Sequence, residues 1–441
     1  MKLSQFNKYL YVNDERILVV NTLKRSISEL DNDLYRKLKS CTSNDLISQD
    51  FSKKSIQELQ RAGIIINNRQ NELSTFNSWI KSFQSDFTTI KAVVLLTFKC
   101  NLNCSYCFEN GPLKEQGQIM TKEISERLID WIKLFAYQKK SRHINLYFYG
   151  GEPTINYSEL EKITTALKYW AKTNKIDLGF YMFTNGTNLT PKILNIINNA
   201  NFRMIQIALD GPPDINDSRR PFKNGKGSFK VIYKNIEQIL SITNIKVRVI
   251  VNYDKENYEY IPLMLNIFDH LKKSNLEFAF NPVFVTKYNL SVCKPFSISG
   301  KLSAAIWADL YKETIKRGFY CNPLRIFDTG PCTFWRISHL IFGPLGDIYK
   351  CIGMPGRKDF QLGNVFHDNI DNIIERLSEM FKKVIPWNNE RCLKCVYLPL
   401  CLGGCRFHSL EQDNKISEVY CHKELIERCE MNLIKHIYSY N

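Results

Sequence analysis

Hydrophobic positions recur with two different spacings along the chain, and the change of spacing divides it into three parts. In the first, Lys8 to Asn13 and Arg16 to Asn21 read as two short strands around Asp14-Glu15. Leu30, Leu34 and Leu38 then recur every fourth residue, the stripe of an amphipathic helix, with Asp31 or Asn32 available as its cap. A second short helix fits Lys54 to Arg61, Gly63 ends it, and Ile64 to Ile66 returns as a strand. Strands, helices and a closing strand predict a small winged-helix-like module over residues 1–85.

From Lys91 strands alternate with helices. The predicted strands are Ala92 to Thr97, Ile144 to Tyr149, Gly179 to Thr184, Met204 to Leu209, Lys246 to Asn252 and Glu277 to Val283. Helices such as Lys122 to Tyr137 and Ser158 to Thr173 lie between them. Six strands with crossover helices predict an α/β fold over residues 90–300, a parallel sheet curved into a partial (β/α)6 TIM-like barrel. In such a barrel the loops at the C-terminal ends of the strands carry the chemistry. Cys100, Gly150, Asn185, Asp210 and Asn252 fall there. Beyond about Pro323 the alternation fades and Cys, Gly and Pro become frequent, so residues 320–430 read as a cysteine-rich domain that relies on metal to fold.

Composition narrows the class. No apolar run is long enough to span a bilayer, and Met1 to Leu10 lacks the apolar core of a signal peptide. The expectation is a cytoplasmic protein of 441 residues with no membrane partner. The formal net charge is +16, but Lys and Arg are scattered. A solvated basic surface explains this, an acidic partner stays open, and no nucleic acid is expected.

Fourteen cysteines alter the picture more. One tight triplet and one dense group from 392 to 421 suggest bound metal rather than disulfides. The triplet is Cys100-Asn-Leu-Asn-Cys104-Ser-Tyr-Cys107, C-x3-C-x2-C in the loop after the first barrel strand. Three thiolates in one loop can hold three irons of a cubane, leaving the fourth free for a small molecule. A zinc site would need a fourth ligand, and the sequence places none nearby.

This triplet, followed by Phe108, resembles the cluster motif of the radical S-adenosylmethionine (SAM) superfamily. The resemblance implies that the methionyl amine and carboxylate of SAM chelate the open iron. One electron then cleaves the sulfonium C–S bond, and the 5′-deoxyadenosyl radical abstracts a substrate hydrogen. Gly150-Gly151-Glu152-Pro153, at the second strand, looks like the family's GGEP motif, which contacts the methionine amine; Glu152 is expected to accept from that ammonium. Thr184-Asn185-Gly186 ends the third strand and Asp210-Gly211-Pro212 the fourth, followed by Arg219 and Arg220 and then by Gly225-Lys-Gly-Ser-Phe229. This run resembles the peptide- and protein-modifying branch, including the anaerobic sulfatase-maturing enzymes. Thr184, Asn185, Asp210, Arg220 and Asn252 are the further candidate cofactor contacts. Where that branch usually has serine two residues before the aspartate, this chain has Ala208, so Asp210 is left to orient the following loop. Arg220 either pairs with the cofactor carboxylate or lies on the surface.

Cys332, Cys351, Cys392, Cys395, Cys401, Cys405 and Cys421 form the second group. Read alone, C-x2-C-x5-C-x3-C also suits a zinc ribbon. The seven-cysteine order looks like the SPASM domain of peptide maturases, which implies two auxiliary [4Fe–4S] clusters. By the family's crossed arrangement Cys332, Cys351 and Cys405 serve the first, and Cys392, Cys395, Cys401 and Cys421 the second. The first is one ligand short. Some members supply a cysteine six residues before the equivalent of Cys332, where this chain has Ile326; Cys321 completes the set, or the iron stays open to a substrate thiolate. Cys41, Cys293 and Cys429 fit no motif and read as buried thiols.

The N-terminal module resembles the recognition element of peptide-modifying enzymes, in which an edge strand and a helix groove bind a leader peptide by strand addition. Its carriers are Tyr9 to Ile17, Leu34, Leu38 and Leu59 to Ile64. A structural cap explains the same pattern, and DNA binding is a lesser reading. The resemblances together imply a maturase of a ribosomally made peptide, forming a thioether or C–C crosslink or an epimer, with a flavodoxin- or ferredoxin-type reductant. The alternative is a formylglycine-generating sulfatase maturase.

Overall fold

Ile17-Leu18-Val19-Val20 is an uninterrupted apolar run, which a strand tolerates only when both of its faces are covered. In the computed structural model, which describes residues 1–40, 51–109, 117–271, 275–283, 301–322 and 331–439, it is such a strand. Strands β1 (Lys2–Leu3), β2 (Asn7–Tyr11), β3 (Arg16–Asn21), β4 (Ser26–Asp31) and β5 (Ile65–Ile66) make two small antiparallel sheets, β1 with β5 and β2-β3-β4. Leu18 and Val20 point to one face of β3 and Val19 to the other.

On Val19's side lie Leu30, Leu38 and Leu59, from β4 and the helices Asn32–Ser40 and Lys53–Arg61. Asp31 caps the first helix, accepting from Leu34 N at 2.7 Å, and Ser52 caps the second. The expected stripe therefore starts too early: Leu30 ends a strand the sequence reading missed, and the helix begins only after Asp31. Strand end and helix feed one apolar cluster, so a spacing of four appears across two elements. A further helix, Glu72–Gln84, buries Phe76, Ile80 and Phe83 and was also not anticipated.

On the other face of β3, Leu10, Leu18 and Val20 pack with Tyr397, Leu400, Ile426, Met431 and Ile434. The N-terminal module thus shares a core with the end of the chain. Two compact units result, and neither is continuous. One comprises Met1–Gln84, Pro323–Trp335 and Val384–Asn441; the other comprises Ser85–Asn322 and Arg336–Lys383.

The second unit holds a parallel sheet of β6 (Thr89–Leu95), β7 (His143–Tyr149), β8 (Asp177–Thr184), β9 (Phe202–Ala208), β10 (Lys246–Tyr253) and β11 (Leu276–Pro282). All six anticipated strands are present within a few residues. Their order in the sheet is their order in the chain, so right-handed crossovers put every connecting helix on one face. That arrangement is consistent with a TIM-like fold. The anticipated helices are Lys122–Gln138, capped by Thr121, and Tyr157–Thr173.

The sheet does not stop at β6. Strand β12 (His339–Phe342) pairs with it in parallel, and β13 (Asp347–Tyr349) and β14 (Gly363–Asn364) continue antiparallel, giving nine strands. These short strands from the cysteine-rich region cover an edge that would otherwise expose unpaired backbone. Among the described residues no helix is long and apolar enough to cross a membrane.

Because Leu18 is fully buried between β2 and the C-terminal residues, Leu18→Ala should cost about 2–5 kcal/mol of stability. An anaerobic urea titration followed by tryptophan fluorescence measures it, and a loss under ~1 kcal/mol would contradict the shared core.

Candidate active site

The loop after β6 is fixed by the segments that flank it. Asn103 N donates to Pro221 O at 2.8 Å, Lys223 N donates to Asn101 O at 3.1 Å, and the buried Leu102 bridges Phe222. On its other side Glu152 N donates to Lys99 O at 2.8 Å. Backbone approaches so closely here that a Cβ on Gly151 would lie 2.3 Å from Lys99 O. Gly150 has φ +91°, and a Cβ there would lie 2.5 Å from Thr97 O. Only glycine fits both positions. The Gly-Gly pair is the seat of the cysteine loop.

Cys100, Cys104 and Cys107 are each half-buried. Burial, and then the charge of Glu152, push the Cys100 thiol up to about 11. Asn185 Nδ2 donates to Cys100 Sγ at 3.6 Å and to Asn101 Oδ1 at 2.8 Å. Cys104 acts electrostatically on Arg220 and Tyr106, and Cys107 on Tyr149.

Glu152 is completely buried. Its Oε1 accepts from Thr154 N at 3.1 Å, Thr154 Oγ1 at 2.7 Å and Thr184 Oγ1 at 2.8 Å, and its Oε2 accepts from Asn185 N at 2.7 Å. Burial still raises its pKa, against the pull of those four donors. Three of these donors meet Oε1 and one meets Oε2, which keeps acceptor capacity. Through these bonds Glu152 ties the end of β7 to the end of β8. Pro153 opens the short helical turn that follows.

Asp210 is fully buried beyond β9. Its Oδ1 accepts from Asn252 N at 3.1 Å, and its main-chain oxygen accepts from Asn257 Nδ2 at 2.7 Å, which orients the loop as the alanine at 208 suggested. Arg219 donates to both oxygens of Asp254, at 3.0 and 3.1 Å, and lies 4.9 Å from the centre of the Tyr106 ring. Arg220 is buried and donates to Tyr106 Oη, so the surface reading of Arg220 is wrong. Asn252 Nδ2 reaches the same oxygen at 3.4 Å. Sequence reasoning missed Tyr106, Arg219 and Asp254; Tyr106 stood inside the cysteine motif, and only folding shows that it meets both arginines.

Four buried polar atoms here have no hydrogen-bond partner: Asp210 Oδ2, Arg219 Nε and Nη2, and Arg220 Nε. Arg219 Nε and Arg220 Nη1 lie 3.8 and 3.9 Å from Asp210 Oδ2, beyond hydrogen-bonding reach. Buried groups in this state await a polar ligand. A zwitterionic cofactor beside three thiols fits that set.

In the other unit Cys392, Cys395, Cys401 and Cys421 come together. Burial, then the charges of Cys421, Cys395 and Cys392, raise Cys401 to about 11, and burial, with smaller pushes from Cys421 and Cys392, raises Cys395. Burial, and then the charge of Cys332, raise Cys405. Thiols whose charges act on one another are a ligand set of the kind an iron–sulfur cubane would take. Among the described residues no three His, Cys, Asp or Glu side chains converge on a point for one ion; a cubane instead takes one thiolate at each of several irons. Cys351 belongs to the unit with the parallel sheet. So does Cys321, which burial and Glu277 push up to about 12. Cys429 is buried, as expected. Cys41, Cys293 and Ile326 lie outside the described residues.

Comparison with known proteins agrees with this geometry. Residues 94–267 match the radical SAM superfamily. The radical SAM cyclopropyl synthase TigE of Paramaledivibacter caminithermalis is 24% identical over 91% of this chain and 89% of its own. A cysteine-type anaerobic sulfatase-maturating enzyme of Clostridium novyi is 25% identical over 70% of this chain and 85% of its own. Among solved structures, SuiB of Streptococcus suis bound to its precursor peptide SuiA superposes with a TM-score of 0.58 at 15% identity, covering 97% of this chain and 99% of SuiB. This chain carries a radical SAM domain over residues 94–267 and is an enzyme. Its cofactors are a [4Fe–4S] cluster and SAM, and the cysteine-rich C-terminal region fits auxiliary clusters.

Gly151→Ala would force Lys99 and the cysteine loop apart. The variant should lose iron from the first site and cut 5′-deoxyadenosine formation at least ~10-fold, the cost of about 1.4 kcal/mol. Iron assay and product chromatography measure both; parental values would contradict the seat.

Proposed function

We propose that this enzyme modifies a ribosomally made peptide carrying a leader sequence. The observation that carries this reading is residues 1–84: an N-terminal sheet with open edges. Among the described residues strand β2 pairs only with β3, which leaves its outer edge as a candidate for strand addition. Along it Tyr9 and Tyr11 stand beside Tyr35 of the helix Asn32–Ser40, with Lys39 Nζ 4.2 Å from the Tyr9 ring centre and Tyr11 54% exposed. An edge strand beside a helix is the groove that leader recognition requires. The likeness to TigE spans 91% of the chain and the likeness to the peptide-bound SuiB 97%, whereas the sulfatase-maturating relative covers 70%.

In this reading residues 1–85 recognise the leader, 90–300 form the radical SAM barrel and 320–430 the auxiliary-cluster region, whatever the packing units. Cys100, Cys104 and Cys107 hold the SAM-binding cluster. Cys332, Cys351 and Cys405 hold one auxiliary cluster, and Cys392, Cys395, Cys401 and Cys421 the other. Gly150, Gly151, Glu152, Pro153, Thr184, Asn185, Asp210, Arg220 and Asn252 surround SAM. When bound, cluster and SAM supply a 5′-deoxyadenosyl radical that takes a substrate hydrogen. The chain's own residues seat the thiolates and hold Arg219, Arg220 and Asp210 ready for a polar ligand. The setting is cytoplasmic, with a flavodoxin- or ferredoxin-type donor. The product is a thioether or C–C crosslink, or an epimer.

The sulfatase-maturating relative is as similar in sequence as TigE and keeps formylglycine generation as a second reading. Anaerobic incubation with a leader-bearing peptide encoded beside this gene should remove two hydrogens, or introduce solvent deuterium if the product is an epimer. Removing the leader should lower kcat/KM at least ~10-fold, about 1.4 kcal/mol of docking energy. Equal rates with and without the leader would sink the proposal. An aldehyde formed in a sulfatase-derived peptide would favour the rival.

Cys104→Ala should abolish 5′-deoxyadenosine formation while retaining the auxiliary iron. Cys395→Ala should lower iron content and the melting temperature. Unchanged iron in the second variant would remove the auxiliary cluster from the scheme.

A further inference from the structure

The amide of Asn185 is held in one orientation. Its Oδ1 accepts from Thr187 N at 2.9 Å and Thr187 Oγ1 at 2.7 Å. The backbone N–H can only donate, so the oxygen must face Thr187 and the NH2 must face the cysteine loop. Thr187 Oγ1 in turn accepts from Asn101 Nδ2 at 2.8 Å, and Asn101 Oδ1 accepts from Asn185 Nδ2 at 2.8 Å, closing a ring of side-chain bonds. Asn185's own backbone N–H is pinned by Glu152 at 2.7 Å. With every other group on this side chain committed, the remaining donor of Nδ2 points at Cys100 Sγ, 3.6 Å away.

We propose that Asn185 is a positioning residue that sets the reduction potential of the SAM-binding cluster through this N–H···S bond. The inference rests on the reading of Cys100 as a ligand of that cluster. Turnover requires one electron, delivered to the cluster by an external low-potential donor. That electron adds negative charge to the iron and sulfur, and a donor aimed at a ligand sulfur stabilises the more negative state. Hydrogen bonds to the sulfurs are among the factors that set such potentials. The opposing influence is close by: Glu152, buried and acting on Cys100, disfavours added negative charge. The amide and the carboxylate therefore pull in opposite directions. The same carboxylate that lowers the potential fixes the residue that raises it.

The test is a potentiometric titration of full-length, anaerobically reconstituted protein, followed by electron paramagnetic resonance. The signal that changes on adding SAM identifies the cluster. Asn185→Leu keeps the bulk and removes the donor. Its SAM-responsive signal should titrate at a more negative potential than in the parent, while the remaining iron–sulfur signals stay in place. Thr187→Val leaves the amide but removes the hydroxyl that anchors it, and should shift the same signal in the same direction by less. A purely structural role would alter iron content without moving the midpoint. If Asn185→Leu retains its iron and its midpoint is unchanged, the proposal is overturned. If Asn185→Leu loses the site, Thr187→Val decides: a negative shift upholds the proposal and an unmoved midpoint ends it. A parent protein with no SAM-responsive signal would instead overturn the ligand assignment beneath, and the proposal with it.

Discussion

One buried carboxylate organises the site. Glu152 sits where β7 ends, shielded from solvent, and its two oxygens accept four bonds from Thr154, Thr184 and Asn185. A buried charge without such partners costs several kcal/mol, so these donors cannot be lost one at a time without consequence. The chain after β7 and the chain after β8 are thereby locked together. Gly151 lets the same turn lie directly against Lys99, and Asn185 reaches back to Cys100. The cysteine loop has no regular secondary structure of its own; its position is borrowed from two strand ends and from the segment 219–223.

The second dependency is between the ends of the chain. Leu10, Leu18 and Val20 share a core with residues 397–434, and Cys395 and Cys401 pack against it. Thr22 donates to Val396 O, and Lys8 pairs with Glu427, which also accepts from Tyr397 Oη at 2.6 Å. The edges of Trp335 and Trp387 meet 4.7 Å apart between ring centres. A segment poor in regular structure thus gains apolar support from the N-terminal sheet. The two neutralise different liabilities: the sheet covers its second apolar face, and the cysteine-rich segment acquires a scaffold beyond its thiols.

How much of this was legible beforehand depended on distance along the chain. The barrel strands were readable because parallel strands covered on both faces are nearly continuous runs of Val, Ile and Phe. The cysteine spacings were readable because ligands from one loop must be close in sequence. Strand β4 was lost because Leu30 shares a period of four with Leu34 and Leu38 while ending a strand. Strand β12 was lost because its pairing to β6 spans some 250 residues, and no local pattern records that an edge needs covering. The bonds that Glu152 accepts from Thr184 and Asn185 were not legible, since those donors stand at the end of another strand.

The sequence by itself determined the chemistry: three thiols in one loop, a glycine pair after the next strand, seven further cysteines in a fixed order, and the alternation that builds a parallel sheet. These are properties of near neighbours, and near neighbours are what a sequence displays. The tertiary structure alone decided which way each polar group faces. It turned Glu152 inward to the strand ends, buried Arg220 beside Tyr106, left Asp210 Oδ2 without a donor, and aimed the Asn185 amide at Cys100. It also joined the first residues to the last. Those outcomes depend on groups brought together from distant positions, and burial fixes their free energy only once the chain has closed around them.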